Sequence, residues 1–323
     1  MGEDKYAKEL ERAVFNWYYG GDDAAPQSVF NAVANGLKNE MQVIVPIEFP
    51  EAMLQSMGNP EQVKVGDVFS VSEDIPIRFR HLAADEEGHY FIPLFTSREE
   101  MNKGESSSSI NQSLKTLLEA MDNWPDCVGF VVNPRNRKLF LKKDIIKMLL
   151  EYKPRSFISI VKGSVIDMHV DAIVNAANTS LLGGGGVDGA IHTAAGPELL
   201  KECRTLHGCN TGEAKITGSY NITNADRIIH TAGPVYSGKA DDAELLAACY
   251  TNSLDIALEN ECNSIAFPCI STGVYGYPLD KAAKISLLST VRWLDVHPDT
   301  VMNIYFCCFK DEELAAYKEL MNR

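Results

Sequence analysis

The sequence predicts an α/β protein in two parts: a smaller α/β domain over residues 1–152, then an α/β/α arrangement over residues 156–323, in which helices cover a mixed sheet. The chain has 323 residues, and at about 150 residues per domain this length indicates two domains. After residue 156, apolar strands alternate with helices, which is typical of a largely parallel or mixed sheet covered on both faces. Between the halves, Lys153-Pro154-Arg155 is the predicted joint, because proline interrupts a helix and restrains the residue before it.

Composition excludes several classes of protein. The 44 Asp and Glu residues outnumber 30 Lys and Arg residues, and the net charge of −14 disfavours a nucleic-acid polymer as ligand. The 8 cysteines contain no C-x-x-C pair, so we expect buried, reduced thiols and no metal site or disulfide framework. The first residues lack the apolar core of a signal peptide, and no uncharged apolar run approaches the ~18 residues of a membrane span. We therefore expect a cytoplasmic protein.

The N-terminal half shows no catalytic constellation. Its hydrophobic periodicity predicts amphipathic helices around residues 10–17, 29–37, 110–121 and 142–152, and a short helix capped by Ser97. Strands are predicted at residues 43–47, 75–82, 90–95, 127–132 and 138–141. His81 and His89 flank one predicted hairpin, and without a third ligand we interpret the pair as incidental. The basic cluster over residues 135–143 is either a solvated turn or a partner-binding patch.

The C-terminal half alternates regularly. Predicted strands are Phe157–Val161, Ala172–Asn175, Lys215–Tyr220, Arg227–Thr231, Ser264–Cys269 and Asn303–Phe309. Predicted helices are Asp188–Ala195, Glu198–Leu206, Ala243–Asn260, Leu279–Asp295 and Asp311–Met321. Ligands of such sheets usually bind outside the carboxyl ends of the strands, so the loops that follow the strands are the candidate site.

Two loops have the composition of a phosphate cradle. In Val174–His192, a strand ends in small polar residues, four glycines follow, and a helix begins at once. Glycine permits close backbone approach, and free N–H groups at a helix start bind anions. In Ala266–Pro278, a second apolar strand runs into a glycine-containing loop before a helix. The pair predicts a site for two linked phosphates; the alternative for the glycine run is a flexible turn, at a high cost in conformational entropy.

Two common nucleotide motifs do not fit. Neither loop contains G-x-x-x-x-G-K-[ST], which excludes a Walker-type nucleoside triphosphatase. Gly184, Gly186 and Gly189 formally match G-x-G-x-x-G, but a dinucleotide dehydrogenase also needs an acid at the end of the next strand. That strand ends at Tyr220-Asn221-Ile222 without one, so the dehydrogenase interpretation is rejected.

Each half resembles a known family. Phe157–Arg323 resembles the macrodomains, specifically the MacroD-type ADP-ribosylhydrolases, and the matching segments are Asp171–Asn178, Gly183–His192, Thr211–Thr217, Ile229–Pro234 and Ile270–Pro278. The resemblance implies ADP-ribose binding, hydrolysis of ADP-ribosyl esters on acidic protein side chains, deacetylation of O-acetyl-ADP-ribose as in some members, and no cofactor. Met41–Glu151 resembles the N-terminal domain of SseB-like proteins, especially in residues 131–134 and 139–141, and we expect that domain to bind a protein partner.

The macrodomain resemblance also implies roles for individual residues. Asn178 orients the distal ribose, and Asp188 positions or activates the attacking water; otherwise Asp188 is a simple N-terminal helix acid. Phe309 packs against adenine, or is an ordinary core residue. His192 and His230 are expected to be satisfied structural histidines. The remaining ligand-binding residues are Ser164, Val165, Gly185, Gly186, Val187, Ser271, Thr272, Gly273, Val274 and Tyr275.

One residue departs from the family pattern. After Lys162-Gly163 the family usually has an acid that accepts the adenine amino group, whereas this chain has Ser164. The distal ribose, where hydrolysis occurs, is untouched by this change. The sequence thus predicts a mono-ADP-ribosylhydrolase, with a non-catalytic ADP-ribose reader as the alternative.

Overall fold

The computed structural model describes residues 4–20, 26–48, 78–104 and 107–321. They form two compact units. The first comprises Met1–Phe15 and Val29–Lys153, and the second comprises Asn16–Ser28 and Pro154–Arg323.

The N-terminal half contains two small sheets among its described residues. Its elements are α1 Lys5–Gly20, α2 Gln27–Lys38, β1 Gln42–Glu48, β2 Arg78–Phe79, β3 Leu82–Ala83, β4 Tyr90–Leu94, α3 Arg98–Asn102, β5 Ser109–Ser113, α4 Leu114–Ala120, β6 Cys127–Val132, β7 Leu139–Lys142 and α5 Lys143–Leu150. One sheet is antiparallel with the order β2-β1-β5. The other has the order β3-β4-β6-β7, with a parallel β4–β6 pair. This unit is the smaller α/β region that the sequence predicts.

Local signals in this half are partly confirmed. Ser97 caps α3, because its side chain accepts a hydrogen bond of 3.2 Å from the N–H of Glu100. The predicted hairpin forms where Leu82 of β3 lies opposite Phe91 of β4, although residues 75–77 of the first predicted strand lie outside the described residues. His89 bonds to Asp85 at 2.6 Å, and the predicted basic cluster includes Lys143, which pairs with Asp122.

Two helix predictions in this half are wrong in detail. Ile110 was expected on a helical face, but it lies in β5 opposite Val45, because the helix begins only after Ser113, whose hydroxyl accepts the N–H of Thr116. In α5 only the stripe of Ile146 and Leu149 is buried, whereas Ile145 and Leu150 are 36% and 50% exposed. A helix of two turns presents too narrow a stripe to bury all four side chains.

The second unit has the predicted alternation of strands and helices. Its elements are β8 Phe157–Lys162, β9 Val170–Ala177, α6 Gly186–Ala195, α7 Pro197–Thr205, β10 Ala214–Gly218, β11 Ala225–Ala232, α8 Asp241–Glu259, β12 Ser264–Pro268, α9 Leu279–Val296, β13 Asn303–Cys308 and α10 Asp311–Met321. They build one sheet of order β10-β11-β9-β12-β13-β8. All neighbours are parallel except β10, which pairs antiparallel with β11, so the sheet is mixed.

Apolar side chains pack on both faces of this sheet. On one face α8, α9 and α10 contribute Leu254, Trp293 and Tyr317 to the core. On the other face α6 and α7 contribute Ile191 and Leu199. The arrangement is α/β/α, and it confirms the predicted fold class. With both faces covered, the accessible part of the sheet is its edge at the carboxyl ends of the strands.

Two further findings concern the state of the cysteines and the hydropathy of the helices. All 8 cysteines are free thiols, and Cys307 and Cys308 lie buried in β13. Among the described residues, no helix is both long and apolar enough to cross a membrane.

Candidate functional site

The carboxyl ends of β8, β9, β12 and β13 open into a cavity of about 560 Å³. A volume of this size suits a small-molecule ligand. The structure places every residue predicted to bind or act on the ligand along its wall: Ser164, Val165, Asn178, Gly185, Gly186, Val187, Asp188, Ser271, Thr272, Gly273, Val274, Tyr275 and Phe309. Residues that are 145 positions apart in the sequence thus share one cavity, because parallel strands end at the same edge.

Asp188 is the buried carboxylate of this cavity. It is the third residue of α6 and is only 3% exposed. Its Oδ1 accepts a hydrogen bond of 2.8 Å from Asn175 Nδ2, whereas Oδ2 has no hydrogen-bond partner in the described part of the chain. The carboxylate therefore keeps one oxygen available to accept a hydrogen bond from a water molecule or a ligand hydroxyl.

The glycines bring the loop backbone against this carboxylate. A Cβ on Gly184 would lie 3.0 Å from Asp188 Oδ2 and 3.2 Å from Asn178 Nδ2. A Cβ on Gly189 would lie 2.5 Å from the carbonyl oxygen of Gly184. Close packing against backbone therefore requires glycine at position 189, and at position 184 a Cβ would crowd the side chains of Asp188 and Asn178. Gly184 and Gly189 thus have a packing reason to be glycine, which a flexible turn alone would not supply.

Asn178 shapes the loop as well as lining the cavity. Its Oδ1 accepts the N–H of Ser180 at 2.9 Å, and its Nδ2 donates to the carbonyl of Gly183 at 2.9 Å. Leu181, with φ +58°, and Gly183, with φ +88°, adopt left-handed conformations inside this turn. An amide nitrogen carries two hydrogens, so Asn178 keeps a second N–H for a ligand.

The second loop folds back on itself along the opposite wall. Gly276 donates its N–H to the carbonyl of Gly273 at 3.0 Å, and Tyr277 donates to Ser271 at 3.0 Å. Thr272 Oγ1 donates to the carbonyl of Cys269 at 3.0 Å. These bonds fold the second loop into a compact turn, whose residues line the same cavity as the glycine-rich loop.

Ser164, Val165 and Phe309 form the end of the cavity beside β8 and β13. The Ser164 hydroxyl accepts the N–H of Ile166 at 3.3 Å and caps a short 3₁₀ turn, Val165–Asp167. Phe309 follows β13 and is 72% exposed, so its interpretation as an ordinary core residue is wrong. Asp167 is not on the cavity wall, and its carboxylate accepts the hydroxyl of Tyr19 at 3.3 Å. An exposed aromatic face at this end suits a flat ring.

Asn175 and His230 are site residues to which the sequence assigned no catalytic task. Both are fully buried, and Asn175 Nδ2 lies 3.0 Å from His230 Nδ1. His230 Nε2 lies 2.9 Å from Thr217 Oγ1. Burial, with a smaller contribution from the charge of His192, lowers the pKa of His230 to about 3, so the ring is neutral near pH 7. A polar residue such as Asn175 inside an apolar strand is the signal that could have revealed this network.

His192 differs from the prediction. It was expected to be a satisfied structural histidine, but its Nε2 makes no hydrogen bond in the described part of the chain and lies 3.5 Å from Asp188 Oδ1. Asp188 and His192 are four residues apart on α6, and side chains at that spacing share a helix face. His192 Nε2 therefore lies beside the buried carboxylate of Asp188.

Within the described ranges, one group of side chains has the spacing of a metal site. Asp85, Glu87 and His89 form it on the exposed hairpin of the first unit. None of the three lines the cavity in the second unit. Exposed acidic groups are common without a metal, so this cluster indicates no cofactor for the cavity.

Known proteins are similar to this chain over the half that forms the cavity. The family model of the Macro domain matches residues 174–286. A macro domain-containing protein of Chlorobaculum tepidum is 55% identical over 162 residues, covering 50% of this chain and 93% of that protein. A macro domain-containing protein of Ralstonia nicotianae is 53% identical over 163 residues, which cover 92% of that protein. The human ADP-ribose glycohydrolase MACROD2 is 51% identical over 167 residues, covering 51% of this chain and 39% of that protein. Through its C-terminal half, this chain belongs to the macro domain family.

Proposed function

We propose that this chain is a mono-ADP-ribosylhydrolase, which cleaves the ester between ADP-ribose and an acidic protein side chain. The observation that carries the proposal is Asp188 Oδ2, a buried carboxylate oxygen without a hydrogen-bond partner in the described part of the chain, on the wall of the cavity. A buried acceptor that the protein leaves unsatisfied is costly unless a ligand or water completes it. Asp188 therefore supports a catalytic rather than a purely structural task.

The relatives' names support the same activity. The human MACROD2 and mouse MACROD1 proteins are both named ADP-ribose glycohydrolases, and both are 51% identical to the C-terminal half. The chain covers 39% and 50% of those proteins. The Macro domain family model, which matches residues 174–286, spans both loops and Asp188.

The cavity suits an ADP-ribose ligand without a basic patch. The helix α6 begins in the glycine-rich loop without a side-chain cap, and its first residues line the cavity together with Ser271–Tyr275. Helix N-termini and loop amides bind phosphate oxygens. Several such bonds offset the unfavourable field of a chain with a net charge of −14.

We assign the hydrolysis of the ester to the end of the cavity that Asn178 and Asp188 line. Asp188 Oδ2, with a ligand phosphate oxygen, accepts hydrogen bonds from a water molecule and directs it at the ester-linked ribose. The water oxygen forms a bond to the ribose carbon, the ester bond breaks, and the target carboxylate leaves. The proton of the water passes to Asp188 or to solvent. The remaining N–H of Asn178 holds the distal ribose.

A hydrolysis assay tests the proposal. A protein mono-ADP-ribosylated on glutamate is incubated with wild type, with Asp188→Asn, and with Asp299→Asn as a matched change at an exposed residue. Loss of a general base lowers the rate by about 100-fold or more, so we expect slow release of the label only with Asp188→Asn. Titration calorimetry with ADP-ribose measures binding separately.

The assay distinguishes the hydrolase from the reader. Binding of ADP-ribose by wild type without release of the label would contradict the hydrolase and indicate a reader. Equal release by wild type and Asp188→Asn would remove Asp188 from the mechanism. O-Acetyl-ADP-ribose, added as a second substrate, tests whether the same site also removes the acetyl ester.

The role of the N-terminal half, its partner and the cellular location are separate proposals. The likeness of this half to SseB-like proteins rests on residues 131–134 and 139–141. A partner-binding task is supported by the exposed side chains of Phe140 and Met148. We assign the protein to the cytoplasm on its sequence features. Cross-linking in cells with wild type and with Phe140→Ser tests the partner, and cell fractionation tests the location.

A further inference from the structure

A chain of buried polar groups runs from the cavity into the second unit. Asp188 Oδ1 contacts Asn175 Nδ2 at 2.8 Å, and the same Nδ2 contacts His230 Nδ1 at 3.0 Å. On the other side of the ring, His230 Nε2 lies 2.9 Å from Thr217 Oγ1 and 3.9 Å from Cys203 Sγ. The groups lie on α6, β9, β11, β10 and α7, so tertiary packing alone assembles them.

The chemistry of each group fixes the positions of its hydrogens. A carboxylate oxygen only accepts, so Asn175 Nδ2 donates one hydrogen to Asp188. An amide nitrogen cannot accept, so its second hydrogen points at His230 Nδ1, which must be unprotonated. The ring hydrogen is then on Nε2, which donates to Thr217 Oγ1, and Thr217 donates onward to the carbonyl of Gly218 at 3.2 Å.

The opposite orientation of the Asn175 amide is excluded by the same contacts. Rotation of the amide would place its oxygen 2.8 Å from the carboxylate of Asp188 and 3.0 Å from the Nδ1 lone pair of His230. A proton on Nδ1 would instead face the amide hydrogen. The unprotonated Nδ1 and the N–H donated to Asp188 therefore depend on each other.

We infer that His230 is a positioning residue for the hydrolysis, which holds the Asn175 amide so that it bonds Asp188 Oδ1 and leaves Oδ2 facing the glycine-rich loop. The inference rests on the proposed function. His230 is 0% exposed, and Asn175 is the residue that links it to Asp188. The low pKa of His230 keeps the ring neutral at neutral pH, and the contact with Asn175 Nδ2 selects Nδ1 as the nitrogen without a hydrogen.

Three substitutions at position 230 separate positioning from mere packing. His230→Asn places an acceptor oxygen near the position of Nδ1, His230→Gln places one nearer Nε2, and His230→Leu offers none. We expect His230→Gln and His230→Leu to lower kcat by about 10-fold or more with the Kd for ADP-ribose within about 2-fold of wild type, because one hydrogen bond to the charged group is lost. His230→Asn restores part of that kcat. Thermal unfolding is measured for each variant.

The tautomer is measured on the wild-type protein, so the inference can be tested even if a variant fails to fold. Nitrogen chemical shifts distinguish a protonated from an unprotonated ring nitrogen, and the His230 signals are assigned by their loss in any folded variant or by through-bond correlation. A hydrogen on Nδ1 at pH 7 would overturn the inference, as would equal kcat values for His230→Asn and His230→Leu. Absence of turnover by wild type would overturn the proposed hydrolase itself, and the tautomer would then describe a structural network only.

Discussion

Gly233 packs directly against Ser271: a Cβ built on Gly233 would stand 2.2 Å from Ser271 Oγ. Gly233 follows β11, and Ser271, with φ +65°, begins the turn after β12. The same Cβ would stand 2.7 Å from Cγ2 of the fully buried Ile270, so residues at the start of the second loop would have to shift to admit it. The glycine of the Ile229–Pro234 segment thus permits the close approach of the second loop.

A methyl group at Gly233 should weaken ligand binding. Overpacking of this kind costs about 1–3 kcal/mol, and Gly233→Ala should displace the Ser271–Tyr275 backbone from the cavity wall. We expect the Kd for ADP-ribose, measured by calorimetry, to rise about 10-fold or more. Gly218→Ala is the matched control, because its Cβ meets nothing closer than 3.7 Å. An unchanged Kd in Gly233→Ala would show that the loop adapts.

Substitutions of two glycines in the first loop should affect kcat and KM differently. A Cβ on Gly184 crowds Asp188 Oδ2 at 3.0 Å, so Gly184→Ala should lower kcat more than it raises KM. A Cβ on Gly185 meets nothing within 4 Å and points into open space on the cavity wall. Gly185→Ala should therefore mainly raise KM. Steady-state kinetics on the ADP-ribosylated substrate checks both, and the reverse pattern would contradict the assigned position of the water.

Acid should destabilise the protein through His230. Its pKa is about 3 in the folded protein, below the ordinary value of 6.5, so the unfolded chain binds the proton first. The contribution is complete above about pH 6.5 and is lost progressively toward about pH 3, at about 1.4 kcal/mol per pH unit. Urea unfolding at several pH values between 7 and 4 should show a shallower loss for His230→Asn than for wild type. Parallel curves would contradict the assignment.

Ser164→Asp should strengthen recognition of the adenine end. Aspartate also accepts hydrogen bonds at a cap, so the 3₁₀ turn that starts after Ser164 should remain. A carboxylate at this position would supply the acceptor that the family usually places there. We expect tighter binding of ADP-ribose, by calorimetry, with no change for ribose 5-phosphate. Equal tightening for both ligands would show a general charge or loop effect instead.

Tyr250→Phe should lower stability rather than activity. The Tyr250 hydroxyl is fully buried and accepts the N–H of Ile270 at 3.4 Å. Without it that N–H is left unpaired in the core, at a cost of about 1–3 kcal/mol in the free energy of unfolding. Chemical denaturation measures the loss, and Tyr275→Phe, on the partly exposed second loop, is the comparison at another tyrosine.

Much of the second unit could be predicted from local patterns. The helix Asp311–Met321 has the predicted bounds, and the strands differ from prediction by a few residues at their ends. Alternating apolar and polar residues, proline and glycine act over short stretches, so the sequence shows them directly. The error at Ile110 arose because an apolar residue four positions before a helix fits both a helical face and the end of a strand.

Residues of the site could be named from the sequence, but most of the contacts between them could not. Asp188 was assigned its role from the resemblance to the macrodomains, whereas the proximity of His192 to Asp188 was missed although their spacing of four places both on one helix face. Asn175 and His230 could not be paired from the sequence, because their contact depends on the register of β9 beside β11.

The elements of the second unit and its two glycine-containing loops follow from residue type and short-range spacing, and the resemblance to the macrodomains singled out Asp188. In the described part of the chain, tertiary packing leaves Asp188 Oδ1 bonded and Oδ2 without a partner, sets Asn175 against His230 Nδ1, and brings Gly233 against Ser271. These features depend on contacts between strands and helices distant in sequence, and a difference of 1 Å in such a contact separates a hydrogen bond from none.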